Sequence, residues 1–327
     1  MILCCGEALI DMIPETTRSG AIGYVPHCGG SVFNTAIAIG RLGVRVGFLS
    51  GLSTDFFGDQ LRGSLAESGV DASFVVTSSL PTTLAFVRLS EGQASYAFFD
   101  ENTAGRMLRE DSFGPIADEV EAMFFGGISL MNEPCGQAYI ALAKREAGRR
   151  TIMLDPNIRR NFIRDESAYR QRLDQLLSVA DIIKVSNEDL DWLINGAQAL
   201  AEKAQGVLAL GPSIVILTEG AKGATAFMRG LPPVFVPAKR VEVIDCVGAG
   251  DTFNAGVLAE LSARHCLAKA ALRSVPARCL ASAIETGTLA ASISVSRAGA
   301  NPPWAAELNG SKSKTDLPAE EAAKDRT

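Results

Sequence analysis

Short, mostly apolar runs alternate along the chain with longer stretches whose apolar residues recur three and four positions apart. Residues 2–5, 46–49, 123–125, 151–154, 182–185 and 214–217 form the short runs, each bounded by Gly, Asp, Pro or Asn. Such runs suit strands covered on both faces. Residues 32–42, 136–147 and 168–178 carry the helical spacing, the signature of helices with one buried side. Strand–helix alternation predicts an α/β fold with a mostly parallel sheet between helical layers.

Two segments depart from this rhythm. Residues 20–26 are a short stretch just before the glycine pair Gly29–Gly30. Residues 84–89 and 95–99 are strand-like and are joined by residues 90–94, which contain Glu-Gly; this predicts a hairpin. A hairpin inside a strand–helix series predicts a small second sheet, placed to cover a ligand. From about residue 305 to 327 the periodicity gives way to Gly, Ser, Lys, Asp and Glu, which predicts a disordered, dispensable tail.

At 327 residues and 47% hydrophobic content, the chain can bury a large core without disulfides or a structural metal. Its net charge of −6 argues against a nucleic-acid surface. Seven cysteines without a C-x-x-C pair, and only His27 and His265, argue against a zinc site. The odd count and apolar neighbours predict buried free thiols in a reducing compartment. Glu7 and Asp11 interrupt the first apolar stretch, which does not read as a signal peptide. No apolar run reaches the roughly 20 residues of a membrane span. A cytoplasmic protein without a membrane partner is expected.

The most informative segment is V-E-V-I-D-C-V-G-A-G-D-T-F, residues 241–253. It reads as an alternating strand ending at Asp245, a small-residue turn at Gly248, Ala249 and Gly250, and a helix-like run over 252–261. Small residues let the backbone approach a ligand, and unpaired N–H groups of a first helical turn attract anions. A carboxylate among these donors is expected to stay ionised, which would let Asp251 act as a base beside a phosphate. Taken alone, the segment reads equally as a tight turn followed by an N-cap. No Walker A sequence is present, which excludes a P-loop kinase.

D-C-V-G-A-G-D-T-F-N-A-G resembles the C-terminal signature of the ribokinase-like (PfkB) carbohydrate kinases, with Cys246 in place of the usual Thr. G-G-S-V-F-N-T-A-I-A-I-G-R-L-G, residues 29–43, resembles the family's other signature, continued by Gly47, Gly51, Asp55 and Gly58. The resemblance runs in order over nearly the whole chain. It implies a three-layer αβα sandwich with a mostly parallel central sheet and a small β-sheet lid. The kinase domain would span 1–304, with the lid from about 12–26 and 84–102.

The same resemblance implies site residues. Gly248, Ala249 and Gly250 would form an anion hole for the transferred phosphoryl group, and Asp251 would deprotonate the sugar hydroxyl. Asp11, Gly29, Gly30 and Asn34 would bind the sugar. Phe98, in a segment similar to the lid of bacterial fructokinases, would close over it. Arg106 points into the site or pairs with surface carboxylates. Arg159, in D-P-N-x-R (155–159), would meet a hydroxyl, a carboxylate or a phosphate.

On the nucleotide side, Asn187 matches the start of the family's N-x-x-E motif, but Leu190 stands where Glu is expected; Glu188 and Asp191 are nearby substitutes. Thr218, Gly220 and Gly223 match a T-x-G-x-x-G nucleotide loop, which taken alone would read as a hairpin turn. Asp245 and the backbone of Val247 and Gly299 are candidates for a K⁺ site.

The implied activity is ATP- and Mg²⁺-dependent phosphorylation of a free sugar. Fructokinase is the first reading, and 2-keto-3-deoxygluconate kinase or ribokinase the alternatives. A sugar-sensing regulator is the reading from outside enzymology. A homodimer through the lid is a further expectation drawn from the family.

Overall fold

The computed structural model describes residues 1–90 and 93–315. Its strands are β1 (Ile2–Cys5), β2 (Leu9–Thr16), β3 (Ile22–Gly29), β4 (Val46–Leu49), β5 (Gly51–Ser53), β6 (Val70–Asp71), β7 (Val76–Ser78), β8 (Leu84–Ser90), β9 (Gln93–Phe99), β10 (Ala122–Gly126), β11 (Thr151–Asp155), β12 (Ile182–Ser186), β13 (Ile214–Thr218), β14 (Gly223–Met228) and β15 (Val234–Pro237). Its helices are α1 (Ser31–Arg41), α2 (Phe56–Glu67), α3 (Cys135–Glu146), α4 (Glu166–Leu177), α5 (Asn187–Leu193), α6 (Leu200–Ala209), α7 (Ala249–Ala263), α8 (Lys269–Leu272), α9 (Ala277–Val295) and α10 (Ala305–Thr315).

Nine strands form the main sheet in the order β15-β14-β13-β12-β11-β10-β1-β4-β6. Pairings from β6 to β13 are parallel, and β14 and β15 extend that edge antiparallel. Side chains alternate across a strand. Ile2 and Cys4 of β1 therefore enter one core with Phe33 of α1, Val257 of α7 and Ile284 of α9. Leu3 and Cys5 enter the other, with Tyr139 of α3, Leu173 of α4 and Val207 of α6. The result is the three-layer αβα sandwich expected from the sequence.

β3-β2-β8-β9 form the second sheet. Its central pair, β2 and β8, is parallel and its outer pairs are antiparallel. The hairpin expected over 84–99 is thus β8–β9, with residues 91 and 92 of its turn outside the described residues. Asp11 and Phe98 are both paired with Ala85, so they share one face of this sheet.

Helices α7 and α9 cross at van der Waals contact. A Cβ on Gly256 would lie 2.7 Å from the Cα of Gly287, so only glycines permit this approach. The crossing fixes α7, whose first turn opens toward the C-terminal ends of the parallel strands, where α/β folds collect ligands.

Two expectations are corrected. Residues 241–245 do not form a strand, because β15 closes that edge of the sheet. They run extended beside the end of α9, tied by the N–H groups of Ile244 and Asp245 to the Val295 carbonyl. Residues 305–315 form α10 rather than a disordered tail. The Trp304 N–H donates to the Glu307 carboxylate at 2.8 Å, Arg297 pairs with Glu307 at 2.6 Å, and Leu308 is buried near Leu289 and Ala290. Residues 316–327 lie outside the described residues. Among the described residues no helix is long and apolar enough to cross a membrane.

Candidate active site

The site is assembled around the first turn of α7. Gly248 precedes it in the left-handed conformation, φ 74°, which disfavours any side chain. A Cβ there would also lie 2.8 Å from the Ala300 Cβ. The N–H of Thr252 makes an early bond of the helix, to the Gly248 carbonyl at 2.8 Å. The N–H groups of Gly250 and Asp251 precede it and face out of the helix end, where the backbone dipoles favour an anion.

Asp251 follows directly and is 7% exposed. Asn34 Nδ2 donates to its Oδ2 at 2.9 Å, and Thr35 Oγ1 donates to its carbonyl at 3.4 Å. Burial pushes its carboxyl up to about 6. The Asn34 hydrogen bond opposes this, Asp155 adds to it, and Lys184 and Arg159 oppose it. Desolvation thus outweighs the neighbouring donors and weakens the ionised form relative to a carboxyl in water, while a group with this value still carries its charge for most of the time at pH 7. Asp11 is likewise raised to about 6, first by burial and then by repulsion from Asp251.

A cavity of about 420 Å³ opens over these groups. The small sheet supplies Asp11, Tyr96 and Phe98; α1 and its approach supply Gly30 and Asn34; the loop after β11 supplies Asn157 and Arg159. Phe98 packs edge-on against Phe162, centroids 4.3 Å apart. Gly248, Ala249, Gly250 and Asp251 complete the wall. Two aromatic side chains, two amides, a guanidinium and several carboxyls suit a polyhydroxylated ligand. Gly29 is not in this wall, but a Cβ there would fall 2.1 Å from Asp11 Oδ2, so it makes room for the aspartate.

A second cavity of about 650 Å³ lies on the other side of the same turn, with walls from Val241, Val243, Phe253, Ala291 and Val295. Thr218, Gly220 and Gly223 line it from the β13–β14 connection. The two cavities share Cys246, Ala249 and Gly250, so they meet at the N-terminus of α7. Beside them the Asp245 carboxylate accepts the N–H groups of Val247 at 3.0 Å and Gly299 at 2.8 Å. The three residues named for a monovalent cation are therefore together. Among the described residues no cluster of three or more His, Cys, Asp or Glu could hold a metal.

Other expected residues are placed elsewhere. Arg106 is outside the cavity; it pairs with the buried Asp100 at 2.9 Å and donates to the Glu133 carbonyl at 3.1 Å. Asn187 opens α5 and lines neither cavity. Of its proposed acidic partners, Glu188 is exposed and Asp191 is paired with Lys203 at 2.6 Å. The buried carboxylate here is Asp189, three residues after Ser186, which accepts the Ile158 N–H at 3.0 Å. A polar residue three before an acid could have been counted from Ser186, one position earlier.

Glu7, Tyr96, Asn157 and Lys184 line the sugar-sized cavity and were not singled out. Glu7 accepts N–H groups from Ser31 at 2.9 Å and Ser129 at 3.3 Å, and burial raises it to about 7. Only the asparagine of D-P-N-x-R carried a signal in the sequence. The thiols are free, yet Cys246 is exposed and Cys28 and Cys279 are half-buried, against the expectation of uniform burial.

The model of the pfkB family carbohydrate kinases matches residues 1–307. A fructokinase of Rhizobium leguminosarum bv. trifolii is 46% identical over 282 residues, 86% of this chain and 85% of the relative. The structure of a fructokinase with bound ATP from Xylella fastidiosa superposes with a TM-score of 0.87 at 28% identity, covering 97% of this chain and 99% of that one. A Vibrio cholerae fructokinase holding fructose, ADP and calcium gives a TM-score of 0.82 at 25% identity, over 94% and 97% of the two chains.

Proposed function

The chain belongs to the pfkB family of carbohydrate kinases, and on that premise we propose that it is a fructokinase, moving the γ-phosphoryl group of ATP to the 6-hydroxyl of D-fructose. The observation that carries this reading is the meeting of two cavities at one helix N-terminus. One is sugar-sized and lined by a mixture of polar and apolar groups, the other is largely apolar and large enough for a nucleoside, and they share Cys246, Ala249 and Gly250.

In this reading the sugar hydroxyl lies against Asp251, which takes its proton as the oxygen attacks phosphorus. The phosphoryl oxygens face the turn formed by Gly248, Ala249 and Gly250, whose backbone dipoles stabilise charge without moving. Asp11 and Asn34 hold hydroxyls, and Asn34 also keeps Asp251 oriented. Phe98 covers the apolar face of the sugar, and Arg159 reaches a polar edge. Thr218, Gly220 and Gly223 contact the nucleotide. Magnesium carried on the ATP phosphates would supply the charge neutralisation that transfer needs, and Asp189 is the nearby buried acid that would serve that end of the site. Asp245, Val247 and Gly299 would hold K⁺, beside the loop that leads into α7. The small sheet acts as a lid. Free thiols throughout accord with a cytoplasmic enzyme.

ADP release with a panel of free sugars, ATP and Mg²⁺, with and without K⁺, tests the assignment. Selective turnover of fructose is expected, and Asp251→Asn should lower kcat by about 10² to 10⁴ while sugar binding persists. Preferred turnover of 2-keto-3-deoxygluconate would instead assign Arg159 to a substrate carboxylate. Saturable sugar binding without turnover would make the protein a sensor.

A further inference from the structure

Behind Asp251 lies a buried polar cluster with no part in the roles given so far. Asp155, at the end of β11, is fully buried. Its Oδ2 accepts from Lys184 Nζ of β12 at 2.9 Å and from Asn254 Nδ2 of α7 at 2.7 Å. Its Oδ1 accepts the N–H of Asn157 at 3.1 Å, which shapes the loop that carries Arg159. Lys184 is 5% exposed, and its Nζ stands 3.2 Å from where a Cβ on Gly250 would lie. The ammonium is therefore directly beneath the turn that would receive the phosphoryl group. A buried ion pair is a weak source of stability, because desolvation offsets its attraction. Its place, joining two sheet strands to the helix that bears the base, points to another use.

Resting on the kinase reading, we propose that Asp155, Lys184 and Asn254 form a positioning unit that anchors the first turns of α7 to β11 and β12 and sets the charge felt by Asp251. The groups facing Asp251 are Asp11 from β2, Asn34 from α1, Asp155 from β11, Arg159 from the loop after it and Lys184 from β12; Asp189 of α5 faces Lys184. Lys184 favours the carboxylate and Asp155 favours the acid. Burial raises the proton affinity of Asp251 toward the range where a general base works, and the two charges of the pair pull on it from opposite sides.

The test is kcat/KM for fructose between pH 5 and 8 at saturating ATP and Mg²⁺. The titration of ATP is common to all variants and cancels between them. Lys184→Met should move the acidic limb to higher pH by about one unit, and Asp155→Asn should move it lower by about as much. The double variant should return close to wild type, as should Lys184→Arg. Should Lys184→Met fail to fold, Asn254→Asp adds a negative charge to the same cluster and should raise the midpoint. The carboxyl ¹³C shift of Asp251 against pH reads the same displacements without turnover. A wild type that phosphorylates no sugar would thus overturn the kinase reading alone. Midpoints that stay fixed, or move the same way in both single variants, would overturn the positioning unit.

Discussion

Asp251 and Asp11 hold protons more tightly than carboxyls in water, and this ties stability to pH. The ordinary value for Asp251 is 3.8 and the folded one is about 6. The native state therefore binds its proton more tightly than the unfolded chain does. The stabilisation that this proton brings is complete below about pH 4 and is lost as pH rises through about 6. Above that, the ionised group costs on the order of 2–3 kcal/mol. Asp251→Asn should accordingly raise the Tm at pH 8, with the gain vanishing near pH 4. Equal gains at both pH values, in thermal denaturation, would reject the account. Residue identities were legible in the sequence, since the two signatures named Asp251 and Asn34. Their contact joins positions 217 apart and was implied only by the family. Lys184 and Glu7 carried no signal, because a lone polar residue at the edge of an apolar run looks the same whether it faces a core partner or a cavity. Arg106 failed for the converse reason: a guanidinium near a site takes whichever carboxylate is closest, and Asp100 was closer.

At the scale of elements, the apolar rhythm located six strands of the main sheet and three of its helices to within two residues. It misread residues 241–245, where alternation came from a chain lying along α9 rather than from pairing, a distinction that periodicity alone does not carry. It missed α10, whose side chains are mostly polar and whose anchorage depends on Arg297 and Glu307 meeting in space. The small sheet is joined to the sandwich by four chain segments, at residues 6–8, 30, 79–83 and 100 onward, whereas α7 is packed directly on α9. Fructose and ATP together should slow backbone hydrogen exchange in β2, β8 and β9 more than either alone. Unchanged exchange in those strands would remove the lid from the mechanism.

For the whole molecule, the face of the small sheet opposite Asp11 and Phe98 is apolar; Ile10, Met12, Cys28 and Leu84 on it pack onto the core, and its outer part is exposed. Ile22 is 65% exposed and Phe99 60%, and Tyr24, Phe86 and Phe99 form an edge-on aromatic row with centroids 5.0 and 5.4 Å apart. An exposed apolar patch of this kind marks a contact surface, and we propose that a second copy of the chain covers it. Sedimentation should give a dimer for the wild type and a monomer for Ile22→Lys with Phe99→Lys; a wild-type monomer at micromolar concentration would exclude it. Composition spoke to class and sheet type, but the surface that seeks a partner became visible only when alternate residues of three strands were laid side by side.

The small sheet contributes Asp11, Tyr96 and Phe98 to one cavity and nothing to the other. On the proposed function the two substrates would therefore have unequal freedom to leave. Lifting the sheet would remove part of the sugar's site along with its cover. The nucleotide cavity would lose no wall in that motion. Sugar phosphate would then depart on the clock of the sheet, and ADP on its own.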